Sequence, residues 1–312
     1  MKKKFLVAVL ALGTVLFLAS CSNSGTSTDS TGSKSTKEHV MEDALGHKVT
    51  IPANPKKIIA PYLEDYLVAL KVKPEAQWTV NNNTVQTYLQ SELKGVPTIS
   101  YDLPYEEVLK YEPDLLMVSS SALVEGGKYD QYKKIAPTYV VKNGDNVTWR
   151  DQFLDVANVL NKKGQAEKVL KNYDQLISKT KSDLGTKISD HSAAILWITN
   201  NQVFVVGEKR GTGDLLYQNL GFKTPALVKE ISEKSKDEFT QLSLEKLAGL
   251  DADYLFLING DSENTIQNEA VWKELPAVKN NQVYTFSKDS AWLYKGPVAN
   301  TQIINDVTKS LQ

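Results

Sequence analysis

Residues 165–184, QAEKVLKNYDQLISKTKSDL, carry the clearest architectural signal in this 312-residue chain. Apolar residues recur through the segment at intervals of three, four and seven, which is the period of a helix with one buried face. These residues are Ala166, Val169, Leu170, Tyr173, Leu176 and Ile177. Twenty helical residues span about 30 Å at 1.5 Å per residue. The segment therefore predicts one long helix, with its lysines on the solvent side.

On both sides of this helix, apolar runs typical of buried strands alternate with short helical patterns, which indicates an α/β fold. The predicted strands include Lys57–Ala60, Leu115–Val118, Thr138–Val141, Ala193–Thr199, Gln202–Gly207 and Tyr254–Ile258. The sequence thus predicts two α/β lobes joined by a single long helix, with a ligand cleft between the lobes. We place the N-terminal lobe at 40–146, the linking helical segment at 147–188 and the C-terminal lobe at 189–312.

The N-terminus has the pattern of a secretory signal. Lys2, Lys3 and Lys4 precede an apolar run that ends in small residues at position 20, and this run is short for a permanent membrane span. Cys21, which follows at once, resembles the lipidated cysteine of bacterial lipoproteins. The sequence therefore predicts a signal peptide at 1–20, lipidation of Cys21 and a flexible polar tether at 21–39. The expected location is the extracytoplasmic face of the cell membrane, with a Gram-positive surface favoured.

Composition narrows the possible functions. The net charge is −1 for the whole chain and becomes −4 when the three signal lysines are removed, so nucleic-acid binding is not indicated. Cys21 is the only cysteine, and its lipidation would leave no thiol for disulfides or metal thiolates. We expect a monomer whose fold depends on its apolar core.

Several short stretches, taken in order, resemble the substrate-binding lipoproteins of ABC importers for iron–siderophore complexes. They are IPANPKKII at 51–59, KGVP at 94–97, EEVL at 106–109, EPDLL at 112–116, KIAPT at 134–138, LYQNLGF at 216–222, LSLEKL at 242–247, DYLF at 253–256 and WKEL at 272–275. The resemblance implies two lobes bridged by a long helix, a shallow cleft, and an ABC permease with its ATPase as partners. Hydroxamate-binding members often carry Gly-Arg-Gly-Gly where this chain has EKRGTG at 208–213, which shifts the arginine.

The resemblance implies that the ligand is a ferric siderophore, whose iron is already saturated by the siderophore's own oxygens. The protein then needs no cofactor and no metal ligands of its own. Aromatic side chains would grip the bulky complex, and a cation would bond its iron-bound oxygens. Candidate ligand-binding residues near predicted strand ends and in loops are Tyr62, Trp78, Tyr101, Ser120, Trp197, Arg210, Trp292 and Tyr294.

Most of these aromatic residues have an equally simple alternative as core residues. Tyr62, Trp78 and Trp197 lie in or next to apolar strands and could face the interior, whereas Trp292 and Tyr294 stand in a polar segment that favours the cleft. The chain has only two arginines, Arg150 and Arg210. Because highly anionic siderophores call for several converging cations, this scarcity favours a near-neutral hydroxamate complex. Cleft lysines could substitute, so catecholate or citrate-type chelates remain alternatives.

Two glutamates have a different predicted role. In the family that this chain resembles, one exposed glutamate on each lobe meets arginines of the permease, and by position these are Glu106 and Glu238. A solvated surface carboxylate is the alternative for each. Such pairs would orient docking more than they would create affinity, because an exposed ion pair contributes only about 0–1 kcal/mol.

Rival functions have weaker support. The chain lacks a Gly-x-Ser-x-Gly motif, and Ser243 in its Ser-x-x-Lys match is more simply a helix N-cap. The three histidines, His39, His47 and His191, form no His-rich motif of the kind a zinc or manganese receptor needs. Haem or a cobalamin remains open as a ligand, with Tyr62 or Tyr294 as a possible axial ligand of haem.

Overall fold

The computed structural model describes residues 37–80, 84–263 and 265–312. The predicted signal peptide, the lipidation site at Cys21 and nearly all of the predicted tether lie outside the described residues. The first strand begins at His39, inside the predicted tether.

The strands are β1 (His39–Glu42), β2 (Lys48–Ile51), β3 (Ile58–Ile59), β4 (Gln77–Trp78), β5 (Thr98–Ile99), β6 (Leu115–Val118), β7 (Thr138–Val140), β8 (Ala193–Thr199), β9 (Gln202–Val206), β10 (Phe239–Leu242), β11 (Tyr254–Asn259) and β12 (Val283–Ser287). The α-helices are α1 (Glu64–Ala69), α2 (Gln90–Leu93), α3 (Tyr105–Lys110), α4 (Lys128–Tyr132), α5 (Trp149–Val159), α6 (Lys163–Leu184), α7 (Thr186–Ser189), α8 (Gly211–Asp214), α9 (Ala226–Lys234), α10 (Leu244–Leu247), α11 (Thr265–Asn268), α12 (Ala270–Glu274), α13 (Pro276–Lys279) and α14 (Pro297–Leu311). Short 3₁₀ turns lie at Thr87–Leu89, Ser121–Val124 and Ala291–Leu293, and a π-helical turn lies at Leu215–Leu220.

The N-terminal lobe is built on a parallel sheet. Strands β3, β6 and β7 pair in that order, β4 pairs with β5, and a bridge between Ile59 and Ala76 joins the two groups. The strand order is therefore β5-β4-β3-β6-β7, in which the chain runs outward from β3 in both directions. In open α/β sheets a ligand crevice lies beyond the carboxyl ends of the strands at such a reversal.

The C-terminal lobe holds one five-stranded sheet in the order β10-β9-β8-β11-β12. Strands β8, β11 and β12 are parallel, while β9 is antiparallel to both of its neighbours. The hairpin predicted between β8 and β9 is present, and Asn200 and Asn201 at its tip both adopt positive φ. Asparagine tolerates this left-handed conformation better than most residues.

Helix α6 contributes to the cores of both lobes. Its first turns place Ala166, with Val169 and Leu170, against the apolar residues under the N-terminal sheet. Its later turns place Tyr173 and Leu184 in the C-terminal core. The prediction of two α/β lobes joined by a single long helix is confirmed. Within the part of the chain that the structure describes, no helix is long and apolar enough to cross a membrane.

Candidate ligand cleft between the two lobes

The lobes are joined at the cleft by the carboxylate of Asp65. It accepts hydrogen bonds from the backbone N–H groups of Val298 (3.0 Å) and Ala299 (2.8 Å) and from the Tyr88 hydroxyl (2.9 Å). Val298 and Ala299 lie in the first turn of α14, where backbone N–H groups have no partner within the helix. Asp65 on the N-terminal lobe therefore caps a helix of the C-terminal lobe.

The close approach at this cap requires a glycine before the helix. Gly296 has a φ of 140°, and a Cβ at this position would stand 2.3 Å from Asp65 Oδ1. Burial raises the pKa of Asp65 to about 6, while the two N–H groups and the Tyr88 hydroxyl act in the opposite direction. At neutral pH the carboxylate is therefore mostly ionised, the form that suits its three donors.

Three of the predicted ligand-binding aromatics lie together at the carboxyl ends of β3, β4 and β5. The Tyr62 ring meets the Trp78 ring edge to face, with centroids 4.8 Å apart, and the Trp78 indole N–H donates to the Tyr101 carbonyl at 3.0 Å. Tyr62 is 41% exposed and Tyr101 is 56% exposed. We call Tyr62, Trp78 and Tyr101 the aromatic patch; it offers ring surface to a ligand at the crevice that the sheet topology predicts.

Tyr62 has an unusual backbone. Its φ is 60°, a conformation that is uncommon for a bulky residue outside glycine. Strained backbone of this kind is concentrated at functional sites, where the surrounding structure holds it in place. Here the turn from β3 into α1 holds it, and Leu63 N donates to the Ala60 carbonyl at 3.1 Å.

Glu64 lies directly beneath the aromatic patch and is fully buried. Its Oε1 accepts a hydrogen bond from the backbone N–H of Trp78 at 2.7 Å, and its Oε2 has no partner among the described residues. Burial raises the pKa of Glu64 to about 8, against the lowering effect of backbone hydrogen bonds. The carboxyl is thus largely protonated at neutral pH, which lets it remain in an apolar site.

Charged residues line the neighbouring part of the cleft. A cavity of about 340 Å³ is bounded by residues 145–149 from the N-terminal side and by Lys209, Arg210, Asp214 and Lys295 from the C-terminal side. The Arg210 guanidinium lies 3.7 Å from Asp145, which Lys236 also contacts at 2.9 Å. Lys295 also lines a small cavity beside the ring of Tyr62, so the two cavities adjoin.

Glu238 lies within the cleft instead of on a freely exposed surface. Its carboxylate is 3.8 Å from Lys295 Nζ, and its side chain is 27% exposed. Burial raises the pKa of Glu238, while Lys295 and Arg210 act to lower it. A Cβ on Gly211 would stand 1.9 Å from Glu238 Oε1, so this glycine makes room for the carboxylate. Glu238 is thus only partly exposed and has cationic partners in the cleft, and the prediction that it contacts a permease stays a prediction.

Glu106, the other predicted docking residue, is exposed in the first turn of α3. Its placement leaves it accessible to a partner protein. The prediction that it contacts a permease stays a prediction.

Trp292 differs from the expectation of a cleft residue. It has 0% exposure, stacks on Phe256 (5.0 Å) and Phe286 (4.7 Å), and donates its indole N–H to Asp306 at 2.9 Å. The 3₁₀ turn Ala291–Leu293 directs the indole under the C-terminal sheet, so Trp292 is a core residue. Tyr294, which follows this turn, does reach the cleft, where its ring lies 4.9 Å from that of Tyr88.

Trp197 and Ser120 lie apart from the residues that bound these two cavities. Trp197 belongs to an aromatic cluster with Phe204 (5.4 Å) and Phe239 (5.3 Å) on the C-terminal sheet, and its buried indole N–H has no partner in the described part of the chain. The Ser120 hydroxyl accepts from the backbone N–H of Ala122 at 3.2 Å and caps a 3₁₀ turn. Their predicted ligand contacts remain untested.

The sequence-based analysis missed Asp65, Glu64, Lys295 and Gln152. Gln152 donates to the carbonyls of Ser119 and Lys142 at the ends of β6 and β7, and accepts from the Tyr66 hydroxyl. Lys295 had a usable signal, because it follows Tyr294 in a polar segment. Asp65 and Glu64 had no usable signal in the sequence, because two acidic residues at the start of a helix are ordinarily solvated.

Comparison with known proteins places this architecture in a family. Residues 64–290 match the family model described as periplasmic binding protein. The chain belongs to this family. This periplasmic binding protein thus has the family and fold of substrate-binding transport proteins, which are not enzymes.

Individual relatives point to iron uptake. The probable siderophore-binding lipoprotein YfiY of Bacillus subtilis (strain 168) is 28% identical, over 98% of each chain. The iron(3+)-hydroxamate-binding protein YxeB of the same organism is also 28% identical, over 100% of this chain and 97% of YxeB. Staphylococcus aureus SirA, solved in complex with staphyloferrin B, is 26% identical with a TM-score of 0.71, over 88% of this chain and 98% of SirA. These findings confirm the resemblance to siderophore-binding proteins of ABC importers.

Proposed function

We propose that this periplasmic binding protein is a lipid-anchored extracytoplasmic receptor that captures a near-neutral ferric hydroxamate and delivers it to an ABC permease. The balance of charge in the cleft is the observation that carries the ligand class. Lys209, Arg210 and Lys295 are opposed by Asp145, Asp214 and Glu238 on or beside the same cavity. A highly anionic complex would find little net positive charge there.

The aromatic patch supports the same ligand class. Tyr62 and Tyr101 offer exposed ring surface to the apolar shell of a siderophore, while Arg210 can donate charge-assisted hydrogen bonds to iron-bound oxygens. Among the described residues, no group of three or more His, Cys, Asp or Glu side chains is placed to hold a metal ion. As the similarity to siderophore-binding proteins implies, iron would arrive as cargo inside its chelator.

A titration of the unlipidated protein tests the proposal through tryptophan fluorescence. The ligand panel is ferrichrome, ferrioxamine, a ferric tricatecholate, ferric citrate, haem and a cobalamin. Saturable quenching by the two hydroxamates alone supports the proposal. Because Trp78 lies in the aromatic patch, Trp78→Phe should lose part of the quenching, with Trp149 at the charged cavity giving the rest, whereas Trp272→Phe, which alters a buried core residue, should retain it. Binding only to ferric citrate or the tricatecholate would contradict the hydroxamate proposal and indicate an anionic chelate. A Soret shift with haem alone would contradict it and indicate haem.

Arg210→Ala is expected to weaken ferric hydroxamate binding 10- to 50-fold. The change removes the guanidinium that lines the cavity, and a hydrogen bond from a charged group contributes about 1.5–3 kcal/mol. Lys236→Ala is the matched control, because Lys236 contacts the same Asp145 carboxylate from outside the cavity lining. The control should stay within twofold of wild type. Equal losses in both variants would assign the effect to Asp145 and remove Arg210 from the binding site.

Glu106→Lys is expected to reduce siderophore uptake by cells at least fivefold while leaving the dissociation constant of the purified protein unchanged. The reason is that Glu106 is exposed on α3 and lines neither of the two cleft cavities, so reversal of its charge should act on docking. Glu92→Lys on α2 reverses an equally exposed charge and should leave uptake intact. Loss of ligand binding in Glu106→Lys would argue against a docking role.

A further inference from the structure

A second concave site lies at the opposite end of the N-terminal sheet from the cleft. It is a cavity of about 620 Å³ whose lining includes Lys56, Lys71, Lys73 and Lys162, which belong to three separate segments. We call it the lysine pocket. Its lining also includes the apolar side chains of Ile58 and Leu160 but no carboxylate.

Within the described residues, the four lysines of the pocket form no close ion pair. Ion pairs form instead at Lys57, Lys133 and other lysines. Asp114 contacts the pocket segment through its backbone, because it accepts hydrogen bonds from the N–H groups of Lys56 (2.6 Å) and Lys57 (3.0 Å). Four like charges gathered in a concavity favour an anion there.

Helix ends hold the pocket in shape. The loop after α1 is fixed by Val72 N donating to the Leu67 carbonyl at 2.8 Å, and the turn between α5 and α6 is fixed by Lys162 N donating to the Ala157 carbonyl at 2.7 Å. Lys162 is also the N-cap residue of α6, whose first turn contains no acidic residue and receives no side-chain cap. The positive end of this 22-residue helix therefore adds to the lysine charge.

The pocket lies close to the first strand of the described chain. His39, the first residue of β1, pairs with Ile51 at the end of β2, and the pocket segment 53–56 follows directly. The 17 residues from 22 to 38 can span at most about 60 Å. A lipid on Cys21 would therefore keep the lysine pocket within reach of the membrane surface.

We propose that the lysine pocket binds the phosphate of anionic phospholipid headgroups in the membrane that carries the lipid anchor. This inference rests on the proposed function in one respect, namely that the protein is held to the membrane by a lipid anchor. The pocket includes Ile58 at the start of β3, whereas the aromatic patch lies at the carboxyl ends of the strands of the same sheet. Binding of a headgroup in the pocket would therefore leave the cleft open and directed away from the bilayer. The attraction between the lysines and lipid headgroups is screened by salt and is reversible. The protein can therefore leave the lipid surface, reorient and dock on a permease.

Vesicle co-sedimentation of the mature chain with Cys21→Ser tests the proposal. The vesicles are phosphatidylcholine alone or phosphatidylcholine with 30% phosphatidylglycerol, in 20 mM and 150 mM salt. We expect binding to the anionic vesicles only, weakening with salt. The variant with Lys56, Lys71, Lys73 and Lys162 all changed to Gln should bind at least tenfold more weakly. The mature chain has a net charge of −4, so its overall charge opposes this binding.

A control with the same change in charge separates the pocket from general electrostatics. It carries Gln at Lys229, Lys246, Lys273 and Lys288, four exposed residues of the C-terminal lobe, and should bind like the parent. Equal losses in both variants, or no vesicle binding by the parent, would overturn the proposal. Binding of inorganic phosphate to the parent at millimolar concentration, measured by calorimetry, together with no vesicle binding would overturn the lipid as occupant in favour of a soluble phosphate ligand. Siderophore titration of the pocket variant keeps the two proposals distinct, because it should bind siderophore normally.

Discussion

Asp65→Ala is expected to lower the free energy of unfolding by about 3 kcal/mol, because it leaves two buried backbone N–H groups of α14 and the Tyr88 hydroxyl without an acceptor. The raised pKa of Asp65 shows that burying this carboxylate is itself unfavourable. The large loss on removal therefore comes from the unpaired donors and not from a strong net attraction. Urea unfolding at pH 7.4, followed by far-UV circular dichroism, measures the difference.

Three further variants sort the contributions to this cap. Tyr88→Phe removes one of the three bonds and should cost about 1 kcal/mol. Asp65→Asn keeps the shape of the side chain but offers one acceptor oxygen. Its loss of unfolding free energy should therefore fall between those of Asp65→Ala and Tyr88→Phe. Thr148→Ala removes the N-cap of α5, which lies within one lobe, and should cost about 1 kcal/mol. If Asp65→Ala costs no more than Thr148→Ala, the bond between the lobes adds nothing to an ordinary helix cap.

The same contact explains why the two lobes form one unit around the cleft. Asp65 follows the aromatic patch residue Tyr62 by three positions, and its partners Val298 and Ala299 follow the cleft residue Lys295. The cap therefore fixes both walls of the cleft relative to each other. Limited motion between the lobes is what this arrangement predicts, because opening would expose the buried carboxylate and break three hydrogen bonds.

Much of the fold could be predicted from the sequence, because its signals are local. The period of the apolar residues in α6 specifies a helix, and the structure adds that its two halves pack in different cores. The apolar run Leu115–Val118 predicts β6 with the bounds that the structure has. The aromatic patch could also be predicted from the sequence. Tyr62 follows a parallel strand and Trp78 ends another, and the carboxyl ends of parallel strands meet at one edge of a sheet.

The cleft chemistry was harder to predict, because it depends on contacts between distant parts of the chain. Asp65 and Val298 are separated by 233 positions, and no local pattern connects them. Trp292 was wrongly placed for a related reason: its neighbours Ser290 and Asp289 are polar, yet the 3₁₀ turn directs the indole onto Phe256 and Phe286. Glu238 looks like a surface acid in sequence and becomes a cleft residue only through Gly211 and Lys295.

Glu64→Gln is expected to remove a pH dependence of stability between pH 6 and pH 8. The pKa of Glu64 is raised from 4.5 to about 8 in the folded protein, so in this range the folded state holds a proton that the unfolded state has lost. Stability of the wild type must therefore fall as pH rises through the window, by about 2 kcal/mol more than in Glu64→Gln. Asp65, with a pKa of about 6, contributes in the same direction but mainly below this window.

Urea midpoints at half-unit intervals of pH measure the two slopes, and the difference between them cancels the three histidines that both proteins share. Glutamine keeps an oxygen for the Trp78 N–H, so the variant should fold and should be the more stable protein at pH 8. Glu107→Gln is the matched control, because Glu107 accepts a backbone N–H from Ser100 at 3.0 Å in a partly exposed position and should leave the slope unchanged. Parallel slopes for wild type and Glu64→Gln would mean that Glu64 is ionised throughout. The aromatic patch would then lie over a buried negative charge. The near-neutral hydroxamate proposal favours an uncharged Glu64 carboxyl beneath the ligand, and that feature would be lost.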